Sequence, residues 1–291
     1  MDTQLVNQLT AVKNKIDKKL TAYLKTDNQL LAGLKESINY SLFSGGKRIR
    51  PIFCILVGEL FNIVADKLFS IACALEMVHT SSLILDDLPS MDNAQMRRGK
   101  PANHLVFGSE VAVLASISLM MRAFEIIEDD RTMPDDKKVE IVKLFSKTIG
   151  MSGMSGGQYV DLKFSAKDME PTVLDYIHQY KTASLFSLAG ASAAVLGGAT
   201  NKQLKAVEDY ALNLGMAFQI FDDILDLQGR TEETGKSLLR DKGSFVKLYG
   251  LERSQELAEK YTEKAFKSLN IFKYQNQHLI LFGKLLLNRR A

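Results

Sequence analysis

Gly215-Met-Ala-Phe-Gln-Ile-Phe-Asp222-Asp223-Ile-Leu-Asp226 sets three carboxylates into an apolar run. On a helix Asp222 and Asp226 share a face at i, i+4, and Asp223 lies three residues from Asp226. Like charges at that spacing repel, and desolvation by apolar neighbours adds to the cost. A solvated helix face would account for an ordinary acidic triplet in a chain with 34 acidic residues, but not for one flanked by Phe218, Ile220, Phe221, Ile224 and Leu225. Bound Mg²⁺ resolves the conflict, because it favours carboxylate oxygens and shares them with substrate phosphates. Upstream, Asp86-Asp87-Leu-Pro89-Ser-Met-Asp92 closes a second apolar run. Pro89 blocks regular helical continuation, so Asp86 and Asp92 are expected to meet through a turn. Two carboxylate clusters in matched settings read as two walls of one diphosphate site.

Around these clusters the chain reads as helix after helix. Leu5, Leu9, Val12, Ile16 and Leu20 mark a first amphipathic helix. Apolar spacing of three and four predicts others over roughly 28–43, 50–62, 64–87, 107–128, 135–164, 171–180, 182–199, 201–228, 251–270 and 275–289. No period-two alternation marks a sheet. The expectation is a single all-α domain over residues 1–291, a large bundle with ample core material at 46% hydrophobic residues. Pro134-Asp135-Asp136 reads as a helix start, and Asp129-Asp130 and Glu232-Glu233 as solvated turns.

A net charge of +3 without a dense Lys/Arg tract argues against a nucleic-acid partner. Cys54 and Cys73 lie in apolar stretches without metal or CxxC spacing, and read as core residues of a reduced cytoplasmic protein. The first residues lack the basic and apolar regions of a signal peptide. Thr182–Asn201 carries no charge over 20 residues, yet its Ser, Gly, Ala and Thr content suits close helix packing better than lipid. No membrane span is expected.

Basic and polar motifs accompany the carboxylates. In Ser44-Gly-Gly46-Lys47-Arg48-Ile-Arg50-Pro51 the glycines let the backbone turn and approach a ligand, while Lys47 and Arg50 offer donors to phosphate. Arg97-Arg98 follows Asp92 closely, so cationic donors and metal-binding acids stand side by side. His79 lies two turns before Asp86 on nearly the same face, placed either to pack or to meet an anion. Gln158 and Asp161 after Gly156-Gly157, Lys181-Thr182, and Gln219 are polar groups in apolar settings. Buried polar groups need partners, and a bound substrate could supply them.

Five motifs in order, GGKRIRP (45–51), EMVHTSSLILDDLPSMDNAQMRRGKP (76–101), GGQYVDL (156–162), YKTASLF (180–186) and FQIFDDILD (218–226), resemble the all-trans short-chain polyprenyl diphosphate synthases of the farnesyl and geranylgeranyl type. The resemblance covers roughly residues 40–250. It implies a homodimeric, terpenoid-synthase-like orthogonal helical bundle around a deep cavity, with the two aspartate motifs facing across it. The implied reaction condenses isopentenyl diphosphate with an allylic diphosphate (dimethylallyl, geranyl or farnesyl). It needs Mg²⁺, three ions once diphosphate is bound, with Mn²⁺ as a substitute. By the same resemblance Asp86, Asp92 and Asp222 ligate the metal, and Asp87, Asp223 and Asp226 support them. Arg97, Lys181, Lys236 and Lys242 stabilise the departing diphosphate, and Thr182 and Gln219 face the allylic cation. Gly46, Lys47, Arg50, His79 and Arg98 hold isopentenyl diphosphate. The released diphosphate takes the final proton, so no protein nucleophile is needed.

The pattern loosens after Asp226. The segment from Thr234 to Val246 is a few residues shorter than in the family; Lys236 matches its first lysine, while the register of Lys242 is ambiguous. Arg289-Arg290 resembles the family's basic C-terminus. Ser81, five positions before Asp86, stands where bacterial farnesyl diphosphate synthases usually carry an aromatic; Ser81 and Ser82 are both small, which favours a twenty-carbon product. Met77, Met120 or Phe124 could close the same space and stop the chain at fifteen. A class I terpene cyclase would need no second diphosphate site and would carry an NSE-like motif in place of DDILD. A non-catalytic subunit of a heteromeric synthase would lose one aspartate motif, and both are present here.

Overall fold

A computed structural model describes residues 3–232 and 243–287. The chain divides into two compact units, one formed by Met1–Gly58 with Ile63–Val142, the other by Glu59–Asn62 with Lys143–Ala291.

The first unit holds α1 (Thr3–Tyr23), α2 (Ala32–Leu42), α3 (Ile49–Glu59), α4 (Phe69–Asp86), a small hairpin of β1 (Met96–Arg97) and β2 (Lys100–Pro101), α5 (Asn103–Phe107), α6 (Ser109–Glu128) and the start of α7 (Asp135–Ile149). Its centre is α4, buried on almost every side from Phe69 to Ser81, as a helix apolar all round must be. It packs against α6, whose buried face is built largely of Ala112, Ala115, Ser116, Leu119 and Ala123. Among the described residues the helical stretch Ala65–Asp86 alone is long and apolar enough to cross a membrane, but 78% of its apolar window is buried inside the fold. That burial explains its apolar character without lipid.

The second unit holds α8 (Met154–Lys163), α9 (Pro171–Ile177), a π-helical turn (His178–Ala183), α10 (Ser184–Leu196), α11 (Asn201–Glu232), α12 (Phe245–Tyr249), α13 (Leu251–Ser268) and α14 (Gln277–Leu287). Here α11 is the spine, packed on by α10, the π-turn and α13. Its fully buried Tyr210 donates to the Leu279 carbonyl of α14 at 2.7 Å. The uncharged stretch after Thr182 is the buried helix α10, with Ala189, Gly190, Ala191, Ser192, Ala193 and Ala194 all inside.

Four local features differ from the sequence expectation. The run 135–164 is broken at 150–153, where Gly150 and Gly153 let the chain turn between α7 and α8. The stretches 171–180 and 182–199 form one continuous helical run, joined by the π-turn. The second aspartate motif lies inside α11, which continues to Glu232, because no proline follows Asp226 as Pro89 follows Asp87. Asp130 is no mere solvated turn: it accepts from Ser70 Oγ at 2.6 Å and from the Thr132 amide at 2.9 Å, tying the turn after α6 to the start of α4. Cys54 and Cys73 are buried free thiols, and burial pushes both far above the ordinary thiol range.

Candidate active site

In the first unit α4 ends at Asp86, and the turn around Pro89 closes as expected. The Asp92 amide donates to the Asp86 carbonyl at 2.9 Å, and the Ala94 amide to that of Asp87 at 3.2 Å. The three carboxylates then part company. Asp87 is 2% exposed and clamped by Arg97, whose Nε reaches both carboxylate oxygens at 3.0 and 3.1 Å while Nη2 reaches Oδ1. Such a fork is charge-assisted and directional, so Asp87 is committed to orienting Arg97. Asp86 and Asp92 stay partly exposed on either side of the turn.

The basic loop stands beside it. Gly45 and Gly46 take positive φ, and so do Arg48 and Arg98, at 52° each. For a side-chain-bearing residue that conformation costs about 1–2 kcal/mol, and such strain gathers at functional sites. Arg98 Nη1 donates to the Gly45 carbonyl at 2.7 Å, joining the two predicted anion-binding segments. Arg50 Nη1 lies 3.4 Å from His79 Nε2. Burial, then the nearby guanidiniums of Arg50, Arg98 and Arg97, hold His79 well below the ordinary histidine range, so it meets Arg50 as a neutral acceptor. Lys47 points to solvent. A narrow cleft opens between Tyr40, Ser41, Thr80, Asp87, Arg97 and Arg98, and the buried Thr80 Oγ1 hydrogen-bonds to no described residue there. Ser81 turns from this cleft to α6: its Oγ lies 2.8 Å from Ser116 Oγ, and the Ser116 hydroxyl reaches the Ser81 carbonyl at 3.1 Å. Ser82 donates to the His79 carbonyl at 2.9 Å.

In the second unit Asp223 is the committed carboxylate. Its Oδ1 accepts from Gln219 Nε2 at 3.1 Å and its Oδ2 from the Phe245 amide at 2.9 Å, which fastens the start of α12 to α11. Burial pushes its pKa up, and these two bonds oppose the shift. Thr182 Oγ1 donates to Gln219 Oε1 at 3.3 Å, so Thr182, Gln219 and Asp223 form one chain of hydrogen bonds. Asp222 is half-buried and Asp226 exposed on the same helix. Lys181 Nζ is held 2.6 Å from Asp161 Oδ2. Both Lys181 and Thr182 belong to the π-turn, a distortion that commonly marks functional sites. Two glycines make room for it: a Cβ at Gly157 would lie 2.6 Å from the Lys181 amide nitrogen, and one at Gly215 would lie 2.8 Å from Ala183 Cα. Both side-chain polar atoms of Gln158 are buried without a protein partner, as fits a group awaiting a ligand. Among the described residues no three His, Cys, Asp or Glu side chains form a ready metal cage. Lys236, Lys242, Arg289 and Arg290 lie outside the described residues.

His178 was not legible as a site residue, although it stands one turn before Lys181. It is buried against the Phe245 ring at 5.0 Å, with Nε2 4.0 Å from Asp223 Oδ2. Burial holds its pKa down to about 4. An unfolded histidine protonates near 6.5, so stability is present above that pH and drains away as pH falls towards 4, by at most about 1.4 kcal/mol per unit. His178→Gln should therefore melt with a smaller loss between pH 7 and 4.5 than the parent protein; parallel curves would refute this.

Residues 32–277 match the family model described as polyprenyl synthetase. The chain is 42% identical over 245 residues to a putative geranylgeranyl pyrophosphate synthase 8, chloroplastic, of Arabidopsis thaliana, covering 81% of this chain and 68% of that one. It is 40% identical over 260 residues to a geranylgeranyl diphosphate synthase of Cyanophora paradoxa, covering 87% of each. Among solved structures, an FPP/GFPP synthase from Zymomonas mobilis superposes with a TM-score of 0.89 at 29% identity, over 99% of this chain and 100% of that one. A geranyltransferase from Legionella pneumophila gives 0.87 at 29%, over 98% of each. The order of the aspartate, glycine-basic and Lys-Thr motifs, the all-helical fold and these matches agree: the chain belongs to the polyprenyl synthetase family.

Proposed function

We propose that this prenyltransferase condenses isopentenyl diphosphate with allylic diphosphates and releases a twenty-carbon product, geranylgeranyl diphosphate. The observation that carries the reading is the division of labour inside each aspartate motif. The middle carboxylates, Asp87 and Asp223, are consumed by protein donors, while Asp86, Asp92, Asp222 and Asp226 keep access to solvent. Asp86, Asp92 and Asp222 would hold Mg²⁺ for the allylic diphosphate, with Asp226 supporting them. Bound Mg²⁺ supplies Lewis-acid stabilisation of the departing diphosphate.

The chain's own groups do the rest. Arg97, steered by Asp87 through Nε and Nη2, presents its remaining Nη1 edge to the diphosphate, and Lys181 is aimed by Asp161. Such preset donors stabilise developing charge without reorganising. Thr182 gives its proton to Gln219, and Gln219 gives an amide proton to Asp223, so the Thr182 oxygen lone pairs are left to face an allylic cation. Isopentenyl diphosphate is assigned to Gly46, Lys47, Arg50, His79 and Arg98. Lys236 and Lys242, outside the described residues, are assigned to the leaving diphosphate by sequence alone.

The small Ser81 and the names of the Arabidopsis and Cyanophora relatives support a twenty-carbon product. The Legionella geranyltransferase and a Thermotoga maritima geranyltranstransferase (30% identity, TM-score 0.83) favour a second reading that stops at fifteen carbons. We further infer a homodimer, for which the exposed α6 stripe of Leu114, Ile117 and Met121 offers an apolar face. We assign the reaction to the cytoplasm, or to a plastid as the Arabidopsis relative's name says of that protein.

Replacing Asp86 or Asp222 with Ala should lower turnover by about a hundredfold or more while circular dichroism keeps the helical signal; near-normal turnover would defeat the metal assignment. Purified protein given Mg²⁺, labelled isopentenyl diphosphate and, separately, dimethylallyl, geranyl or farnesyl diphosphate should extend the farnesyl primer to a twenty-carbon chain. Refusal of that primer, with accumulation at fifteen carbons, would select the second reading.

A further inference from the structure

Arg48 sits between Lys47 and Arg50, yet it points the other way. It is 3% exposed, and each nitrogen of its guanidinium is used. Nε donates to Asp17 Oδ1 at 2.7 Å, Nη1 to Glu76 Oε1 at 2.7 Å, and Nη2 to the Leu42 carbonyl at 2.8 Å. The partners come from α1, from α4 and from the last residue of α2, so one side chain ties three elements to the turn that follows α2. Its backbone holds a left-handed φ of 52°, a conformation that persists only where the surroundings fix it. Lysine could not replace it, since a single ammonium cannot span three acceptors in a planar fork.

The clamp acts on the neighbouring residues. With Arg48 drawn inward, Lys47 is left facing solvent and Arg50 reaches His79. Glu76 stands three residues before His79 on α4, so the helix that supplies the clamp's carboxylate also supplies the imidazole that Arg50 meets. Glu76 is itself 2% exposed, and its charge offsets a guanidinium in a neighbourhood already crowded by Arg50, Arg97 and Arg98.

We propose that Arg48, clamped by Glu76 and Asp17, is a positioning residue for the isopentenyl diphosphate subsite. It holds the turn from Ser44 to Arg50 in its left-handed path, so that Lys47 and Arg50 are presented to the diphosphate, and it touches no substrate. The proposal rests on the assignment of Lys47, Arg50 and His79 to that subsite.

The test is steady-state kinetics on the full chain, varying each substrate separately, with a thermal melt for every variant. Arg48→Met should raise KM for isopentenyl diphosphate about tenfold or more, with kcat and the allylic KM changed less than about threefold, and should lower Tm. The double variant Arg48→Met with Glu76→Met should recover much of that Tm, because no buried carboxylate is left unpaired, while KM for isopentenyl diphosphate stays raised. Recovery of KM together with Tm, or an equal rise in both substrates' KM, would overturn the proposal. Asp17→Asn, at the more exposed edge of the clamp with 33% side-chain exposure, provides the milder form for the case where the Met variants do not fold. A selective KM rise there supports the clamp, and none overturns it. Lys47→Ala and Arg50→Ala, measured alongside, separate the two layers. If they leave the isopentenyl diphosphate KM unchanged, the subsite assignment fails; if they raise it and the Arg48 variants do not, the clamp alone fails.

Discussion

Carboxylates crowded at helical spacing are the constraint on which this protein turns. Three acids within five or seven residues, at the end of one buried helix and inside another, cannot all be left charged and dry. In each motif the protein binds the middle acid closely. Asp87 is met by the fork of Arg97, and Asp223 by the Gln219 amide and the Phe245 backbone. Neither solution is idle, because the first orients a cation and the second fastens α12 to α11. The remaining carboxylates keep access to solvent, where a divalent cation would offset their crowding.

The same economy recurs in the polar groups around the motifs. Lys181 is aimed by Asp161, Gln219 is oriented by Thr182 and Asp223, and Arg50 is met by a neutral His79. Each of these donors is held in place by a neighbouring acceptor. Thr80 and Gln158, by contrast, are buried with polar atoms that hydrogen-bond to no described residue. Strain accompanies this order: Arg48 and Arg98 adopt left-handed φ, and the Lys-Thr pair rides on a π-turn that only glycines at 157 and 215 could accommodate.

Much of this was legible in the residues. The apolar spacing located α4 and α11, Pro89 foretold the turn that brings the Asp92 amide to the Asp86 carbonyl, and the Ser-Gly-Ala run of α10 read as core. Other features were hidden for identifiable reasons. The hairpin at 96–101 is too short for a period-two pattern to register. A π-turn inserts one extra residue, which shifts the apolar face by about 100°, so the run through 171–199 read as two helices. Arg48 read as one more cation of a basic loop, because its buried partners Asp17 and Glu76 are distant in sequence. The bond between Ser81 and Ser116 joins residues 35 apart in sequence, which no local spacing reveals.

The central claim is that the outer acids of each motif bind metal while the middle ones serve the protein. A crystal structure with Mn²⁺ and a non-hydrolysable allylic diphosphate analogue, read by anomalous scattering at the manganese edge, tests it directly. The account predicts metal on Asp86, Asp92 and Asp222, with Asp87 still on Arg97 and Asp223 still on the Phe245 amide. Metal ligated by Asp87 or Asp223, with those protein bonds broken, would contradict it.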